Sequence, residues 1–275
     1  MAGRSYRALD LTLSACEEAR GLGLVDQVLV VGSAATAEGS AIAGRHGAEW
    51  VDEAALMADL GPVLGKGDAM WRALERIDAD LLCYCDGDLA DFGLHFLVGL
   101  FGPLLLEDGP ELVKATYSRA FSDGREQLPD HGGRVTELLA RPLLEAWFPE
   151  AGLLRQPLGG EVAASGGTFR SLPFMTGYAV EAVMAIDAVE RLGVDAIAEV
   201  DLGTRSNDHQ SLDALGRMAR EIVVGISARL PSEPPGTAEI AARLEAEGRI
   251  VVERPPMAEV EAGVAPASLG ELPSR

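Results

Sequence analysis

Short apolar runs alternate with stretches of helical spacing along the first third of the chain, and that alternation leaves few folds open. Helical spacing over 9–22 is followed by a strand pattern over 25–31, a helix over 36–46 and a short strand over 48–51. A short helix over 53–60, a loop over 62–67 and a helix over 68–77 then lead into a further apolar run over 79–88. Strands separated by helices argue for an α/β chain with a parallel, doubly wound sheet. Such sheets keep their ligands beyond the C-terminal ends of the strands.

The 79–88 run ends in two acids, Asp86 and Asp88, on either side of Gly87. Two carboxylates a few ångströms apart repel unless a cation or a shared proton neutralises them. A hard divalent ion with oxygen ligands, holding substrate phosphates as well, meets that requirement. A solvated turn with two helix-capping acids meets it too, and this segment alone does not separate the two.

The chain has 275 residues, 48% of them apolar, enough for a large α/β domain with a sizeable core. A formal net charge of −20 excludes general binding to nucleic acid or to an anionic membrane, so an anionic substrate must be held by local cations. No apolar stretch reaches the length of a membrane span; the most apolar, 97–106, is broken by Gly102 and Pro103. The N-terminus has no apolar signal core, and Cys16, Cys83 and Cys85 read as reduced thiols of a cytoplasmic protein. Of 23 basic residues only Lys66 and Lys114 are lysines. In so arginine-rich a chain, a retained lysine is a candidate for work that a compact ammonium does and a guanidinium does not.

Further on, helical patterns over 92–106, 134–147, 178–191 and 211–230 enclose strand patterns over 111–117 and 196–202. The 156–161 segment reads as a loop leading into a helix that 168–172 continues and Pro173 ends. Seven of the 15 prolines follow Leu230. The expected division is therefore a domain over 1–230 and a Pro-rich linker, short helix and tail over 231–275. Within the second part 250–252 is a candidate edge strand, and the chain from Arg254 reads as a loose tail. The opening is unusual for an α/β nucleotide-binding chain: a polar heptapeptide and a helix stand where a strand is expected, so the first strand lies elsewhere or is absent.

Gly65-Lys66-Gly67-Asp68 precedes a helix, where glycines let the backbone approach a phosphate and the lysine adds a point charge; an ordinary helix-entry turn reads the same way. Gly132-Gly133-Arg134-Val135-Thr136-Glu137 opens another helix and has the makings of an anion cradle. Glu161, after Gly159-Gly160, is a candidate for sugar hydroxyls or for a base, or else a solvent-facing helix cap. His209, in the turn after the 196–202 strand, is a candidate metal ligand beside the acids, or simply exposed.

Taken in order, these segments resemble the glucosyl-3-phosphoglycerate synthase family of retaining GT-A glycosyltransferases. The resemblance runs through 25–31, Gly65-Lys66-Gly67-Asp68-Ala69-Met70-Trp71, Asp86-Gly87-Asp88-Leu89, Leu112-Val113-Lys114, Gly133-Arg134-Val135-Thr136-Glu137-Leu138, Gln156-Pro157-Leu158-Gly159-Gly160-Glu161, Gly177-Tyr178-Ala179-Val180-Glu181 and Asp201-Leu202-Gly203-Thr204-Arg205. It implies a GT-A, Rossmann-like, mostly parallel sheet flanked by helices with a short C-terminal extension. It implies transfer of glucose from UDP-glucose to 3-phosphoglycerate by a Mg²⁺- or Mn²⁺-dependent homodimer, with a GDP-sugar or mannose as the alternative donor. Asp86, Gly87 and Asp88 would then bracket the diphosphate, with Asp88 on the metal. Lys66 would contact the nucleotide sugar, and Glu161 would orient the donor sugar. Gly133, Arg134, Val135 and Thr136 would hold the acceptor, and no enzymic nucleophile is expected.

Three departures stand beside the likeness. The family's first strand has no counterpart. Gly32-Ser33-Ala34-Ala35-Thr36-Ala37 lacks the acids of the family's turn after the second strand. The family's Arg-x-His-x-Asn pattern reads Arg205-Ser206-Asn207-Asp208-His209, which leaves Asn207 or His209 as the second metal ligand, with Asn207 also a candidate for the acceptor. A GT-A scaffold that binds phosphorylated ligands or a partner without turnover is the competing reading.

Overall fold

Half-buried and buried β-prone runs become the strands, and the segments of helical spacing pack across them. The computed structural model describes residues 2–32, 37–119, 121–122, 127–128, 133–205 and 210–266. The first half comprises α1 (Ala2–Gly21), β1 (Leu29–Gly32), α2 (Ala37–Arg45), β2 (Glu49–Asp52), α3 (Lys66–Ala73), β3 (Leu81–Tyr84), α4 (Leu94–Leu106), β4 (Leu112–Arg119), β5 (Phe121–Ser122) and β6 (Gln127–Leu128). The second comprises α5 (Arg141–Trp147), α6 (Pro149–Gly152), β7 (Val162–Ser165), α7 (Gly166–Ser171), β8 (Phe174–Met175), α8 (Val180–Leu192), β9 (Ile197–Arg205), α9 (Leu212–Ser227), α10 (Thr237–Ala246), β10 (Glu253–Arg254) and α11 (Met257–Glu261).

The central sheet has the order β3-β7-β4-β9. β7 runs antiparallel to both β3 and β4, and β4 is parallel to β9. β3, β4 and β9 therefore point the same way, and one end of the sheet collects the residues that follow them and the residue that precedes β7. The expected helix after the 156–161 loop is corrected here: Val162-Ala163-Ala164-Ser165 is a strand. So short an apolar run fits either element by periodicity, and two partner strands decide it.

β1 and β2 form a separate parallel pair. Among the described residues β1 has no ladder partner except β2, and β3 none except β7. Helix α1 bridges the two sheets: its Leu13 packs with Val28 and Val30, and its Ala15, Cys16 and Ala19 pack with Leu81 and Cys83. The helix also begins at Ala2 rather than after a polar heptapeptide.

Helix α8 is buried from Val180 to Val189 and serves as the axle of the larger core, against Trp71, Leu112, Phe174 and Ile222. Residues 253–257 belong to that core, which corrects the loose-tail reading there. β10 pairs with β8, Trp71 Nε1 donates to the Pro255 carbonyl at 2.7 Å, and Met257 is buried. No helix among the described residues is long and apolar enough to cross a membrane.

Candidate active site

Four strands deliver three charged side chains and a phenol to the end of the sheet that follows β3, β4 and β9. Asp86 lies just past β3, Tyr117 near the end of β4, Arg205 at the last position of β9 and Glu161 just before β7. Lys66, the first residue of α3, and Glu181, in the first turn of α8, reach the same place from above.

Their contacts form one chain of alternating charge. Lys66 Nζ lies 2.6 Å from Glu181 Oε1 and 2.5 Å from Asp86 Oδ1. Arg205 Nη2 donates to Asp86 Oδ2 at 2.7 Å, and its Nη1 to Glu161 Oε2 at 2.7 Å. Tyr117 Oη donates to the same Glu161 oxygen at 3.0 Å, and the Arg205 guanidinium lies 5.0 Å from the Tyr117 ring centroid. Burial pushes the Asp86 carboxyl up, but Lys66 and Arg205 outweigh it and hold the group well below the usual range. Burial lowers the Lys66 ammonium, and Glu181 and Asp86 more than reverse that. Glu161 is raised, by burial first and by the Asp86 charge second, against Arg205 and Lys66.

The structure separates the two acids that the sequence paired. Asp86 is neutralised by protein cations. Asp88 is exposed, and among the described residues it has no ion pair or hydrogen bond. A carboxylate in that state is the hard oxygen donor that Mg²⁺ or Mn²⁺ takes. Among the described residues no three His, Cys, Asp or Glu side chains converge on a metal position. Asn207 and His209 lie outside the described residues, as does Gly132.

Gly65-Lys66-Gly67 needs its glycines for packing. Gly65 has φ +83°, and a Cβ on Gly67 would lie 1.9 Å from the Met175 carbonyl oxygen. These contacts seat α3 on β8, so Lys66 is aimed by backbone contact with the core. Gly87 has α1 beside it, with Leu9 Cδ1 3.7 Å from where a Cβ would stand.

Glu161 is not the solvent-facing helix cap that its segment also allowed: the residue has 0% exposure. It holds Arg205 and Tyr117 instead, and its Oε1 is buried without a partner. At the surface of the cluster Asp86 is the more open carboxylate, with a 22% exposed side chain, and Glu181 the less open, at 10%. Sequence reading recorded the Glu181 segment but gave it no role, as it did Arg205 and Tyr117. The legible signal is an acid in the first turn of a helix whose next five residues are apolar.

The second cradle lies beside the same end of the sheet. Gly133 has φ +72° and opens the turn into Arg134 and Val135, and a π-type turn over Thr136–Ala140 follows. Arg134 Nη2 donates to the Gln210 carbonyl at 3.3 Å, which ties the cradle to the chain between β9 and α9. The first N–H groups of a helix lack intrahelical acceptors, so Arg134, Val135 and Thr136 open a helix suited to an anion. Thr136 itself is buried.

Comparison with known proteins bears on this geometry. The glucosyl-3-phosphoglycerate synthase of Mycolicibacterium smegmatis is 40% identical over 207 residues, covering 75% of this chain and 68% of that protein.

The chain belongs to the glucosyl-3-phosphoglycerate synthase family.

The Petrotoga mobilis member is 37% identical over 209 residues, 75% of this chain and 64% of its own length. The chain thus spans about two thirds of the length of these curated relatives. The mannosyl-3-phosphoglycerate synthase of Rubrobacter xylanophilus superposes with a TM-score of 0.75 at 36% identity, covering 92% of this chain and 87% of that one. Glucosyl-3-phosphoglycerate synthase of Mycobacterium tuberculosis, solved with Mn²⁺, UDP-glucose and phosphoglyceric acid, superposes with a TM-score of 0.72 at 34% identity, covering 91% and 87%. These structural neighbours are GT-A glycosyltransferases, and the central sheet flanked by helices is of that class. No family model matches the chain.

Proposed function

We propose that this member of the family transfers glucose from UDP-glucose to 3-phosphoglycerate, retaining the anomeric configuration and using a divalent metal. The observation that carries the reading is the Lys66–Asp86–Arg205 bridge at the strand ends, in a chain about 40% identical to named synthases of this activity. Lys66 and Arg205 are already engaged by Asp86, Glu161 and Glu181, so the site has no surplus of positive charge before a ligand arrives. A diphosphate adds negative charge there, and a low-dielectric site does not accept it without a counter-ion.

Asp88 would hold that ion, with His209 or Asn207 as the protein's second ligand; when bound, the metal offsets charge growing on the leaving diphosphate. Lys66 adds its ammonium on the same side. Glu181 accepts from donor-sugar hydroxyls, and Asp86, fixed from two sides, keeps Lys66 and Arg205 in place. Arg134 and the backbone of Gly133, Val135 and Thr136 hold the carboxylate and phosphate of the acceptor. The carboxylates of Asp86, Glu161 and Glu181 are all engaged by cations, which fits a reaction without an enzymic nucleophile. A homodimer in the cytoplasm completes the reading.

The likeness to a mannosyl synthase makes the donor the point to test. Release of UDP or GDP is followed with Mg²⁺ or Mn²⁺, 3-phosphoglycerate, and UDP-glucose or GDP-mannose in turn. Turnover should be fastest with UDP-glucose. The division of the sheet between β1 and β3 favours a second reading, binding without turnover. Tight UDP binding with no release from any donor would establish that reading and refute the first.

A further inference from the structure

We propose that Lys114 is a positioning residue of the donor site, fixing the 159–161 turn against Lys66, Asp86 and Arg205 through its hydrogen bond to the Gly159 carbonyl. The inference rests on the reading of that cluster as the donor site.

Lys114 lies inside β4, opposite Val162 of β7 and Glu199 of β9. It is 2% exposed, and its Nζ donates to Gly159 O at 3.0 Å. This is a costly way to fill a core. Burial drags the ammonium down to about 8, with Glu181, Glu161 and Glu199 pulling it up and Lys66 pushing it down. A methionine of similar length would spare the fold a buried charge. The ammonium therefore answers a need other than packing.

That need is visible one and two residues along the turn it holds. The Gly159 N–H closes on the Gln156 carbonyl at 2.9 Å, and the Glu161 carbonyl accepts from Ala115 N at 3.0 Å. Between them Gly160 presses against the bridge: a Cβ there would stand 2.6 Å from Lys66 Nζ and 2.8 Å from Asp86 Oδ2. Glu161 then anchors Arg205 and Tyr117. A slip of the turn in one direction drives Gly160 into Lys66. A slip in the other lifts Glu161 from Arg205. A compact ammonium on one carbonyl suits this place, where a guanidinium's wide fork finds one acceptor, and that accounts for a lysine in a chain that otherwise uses arginine.

Lys114→Met and Lys114→Gln test the proposal by two independent readouts. In hydrogen exchange on the chain alone, Lys114→Met should expose the 156–162 amides roughly tenfold faster while those of α8 stay protected. With UDP-glucose and 3-phosphoglycerate, kcat/KM for the donor should fall roughly 10- to 100-fold, with the acceptor KM within about twofold. Lys114→Gln keeps a neutral N–H donor and should recover most of both. The proposal is overturned if 156–162 exchange is unchanged in Lys114→Met, if protection is lost equally across α8, or if the glutamine does no better than the methionine. A wild-type chain without turnover would refute the donor-site reading, and the exchange experiment would still decide what Lys114 holds.

Discussion

Asp68 and Arg254, 186 residues apart in sequence, share a buried ion pair with Arg254 Nε 2.8 Å from Asp68 Oδ1. The exposures are 0% and 1%. Asp68 also accepts from the Leu64 N–H at 2.8 Å and lies 3.0 Å from Arg72 Nη2, while Arg254 sits 5.5 Å from the centroid of the Trp71 ring. The pair fastens the end of the chain beneath the helix that starts at Lys66. Arg72 keeps a cation on Asp68 when Arg254 is replaced, so Arg254→Met should cost about 2–3 kcal/mol in urea unfolding, less than the loss of a sole partner would. Deleting 249–266 should cost at least as much. A loss below about 1 kcal/mol would return this segment to the status of a tail.

Arg205 joins two carboxylates through two different nitrogens, 2.7 Å in each case. An ammonium has no such fork, so Arg205→Lys keeps the charge and loses one arm. Turnover should fall by about two orders of magnitude, as expected when a positioning contact moves by an ångström. Full activity in Arg205→Lys would show that charge alone matters there.

Asp88 is the carboxylate left open beside the bridge. Asp88→Asn should raise the Mn²⁺ concentration needed for half-maximal rate at least about tenfold, and lower the maximal rate by orders of magnitude, because it removes charge from the metal ligand. UDP binding without metal should change little. Unaltered metal dependence would place the ion elsewhere.

Arg134→Ala should act on the other substrate. Its guanidinium flanks the cradle proposed for the acceptor, so the expected effect is a rise of roughly tenfold or more in the 3-phosphoglycerate KM, with donor KM nearly constant. An unchanged acceptor KM would remove Arg134 from that cradle.

Lys114 gives the fold a pH signature. Its folded value of about 8 lies below the ordinary 10.5, so between those values the unfolded chain binds more protons and stability rises with pH. Below about 8 this contribution is flat. The unfolding free energy of the wild type, minus that of Lys114→Met, should climb between pH 8 and 10 by a total on the order of 2–3 kcal/mol. Parallel curves would mean that the ammonium is not destabilised by burial.

The sequence showed the α/β alternation, the acids after β3 and the segments around Lys66 and Arg134, because each leaves a local mark: a period, a glycine pair, a charge at the end of an apolar run. It did not show that Asp86 belongs to Lys66 and Arg205 while Asp88 stands apart, since that is settled by elements far away in sequence. The burial of Glu161 is hidden from the sequence for the same reason. The short run after it, Val162 to Ser165, looks alike in a helix and in a strand, and only pairing with β3 and β4 turns its side chain inward. Arg254 looked like part of a tail because its partner, Asp68, lies beneath the first turn of α3.

The most direct test of the central claim is proton NMR of the product formed from UDP-glucose, 3-phosphoglycerate and Mn²⁺ or Mg²⁺. Retention yields UDP and an α-linked glucosyl acid, the donor's own configuration. A β-linked product, or a folded chain that releases no UDP, would contradict the claim.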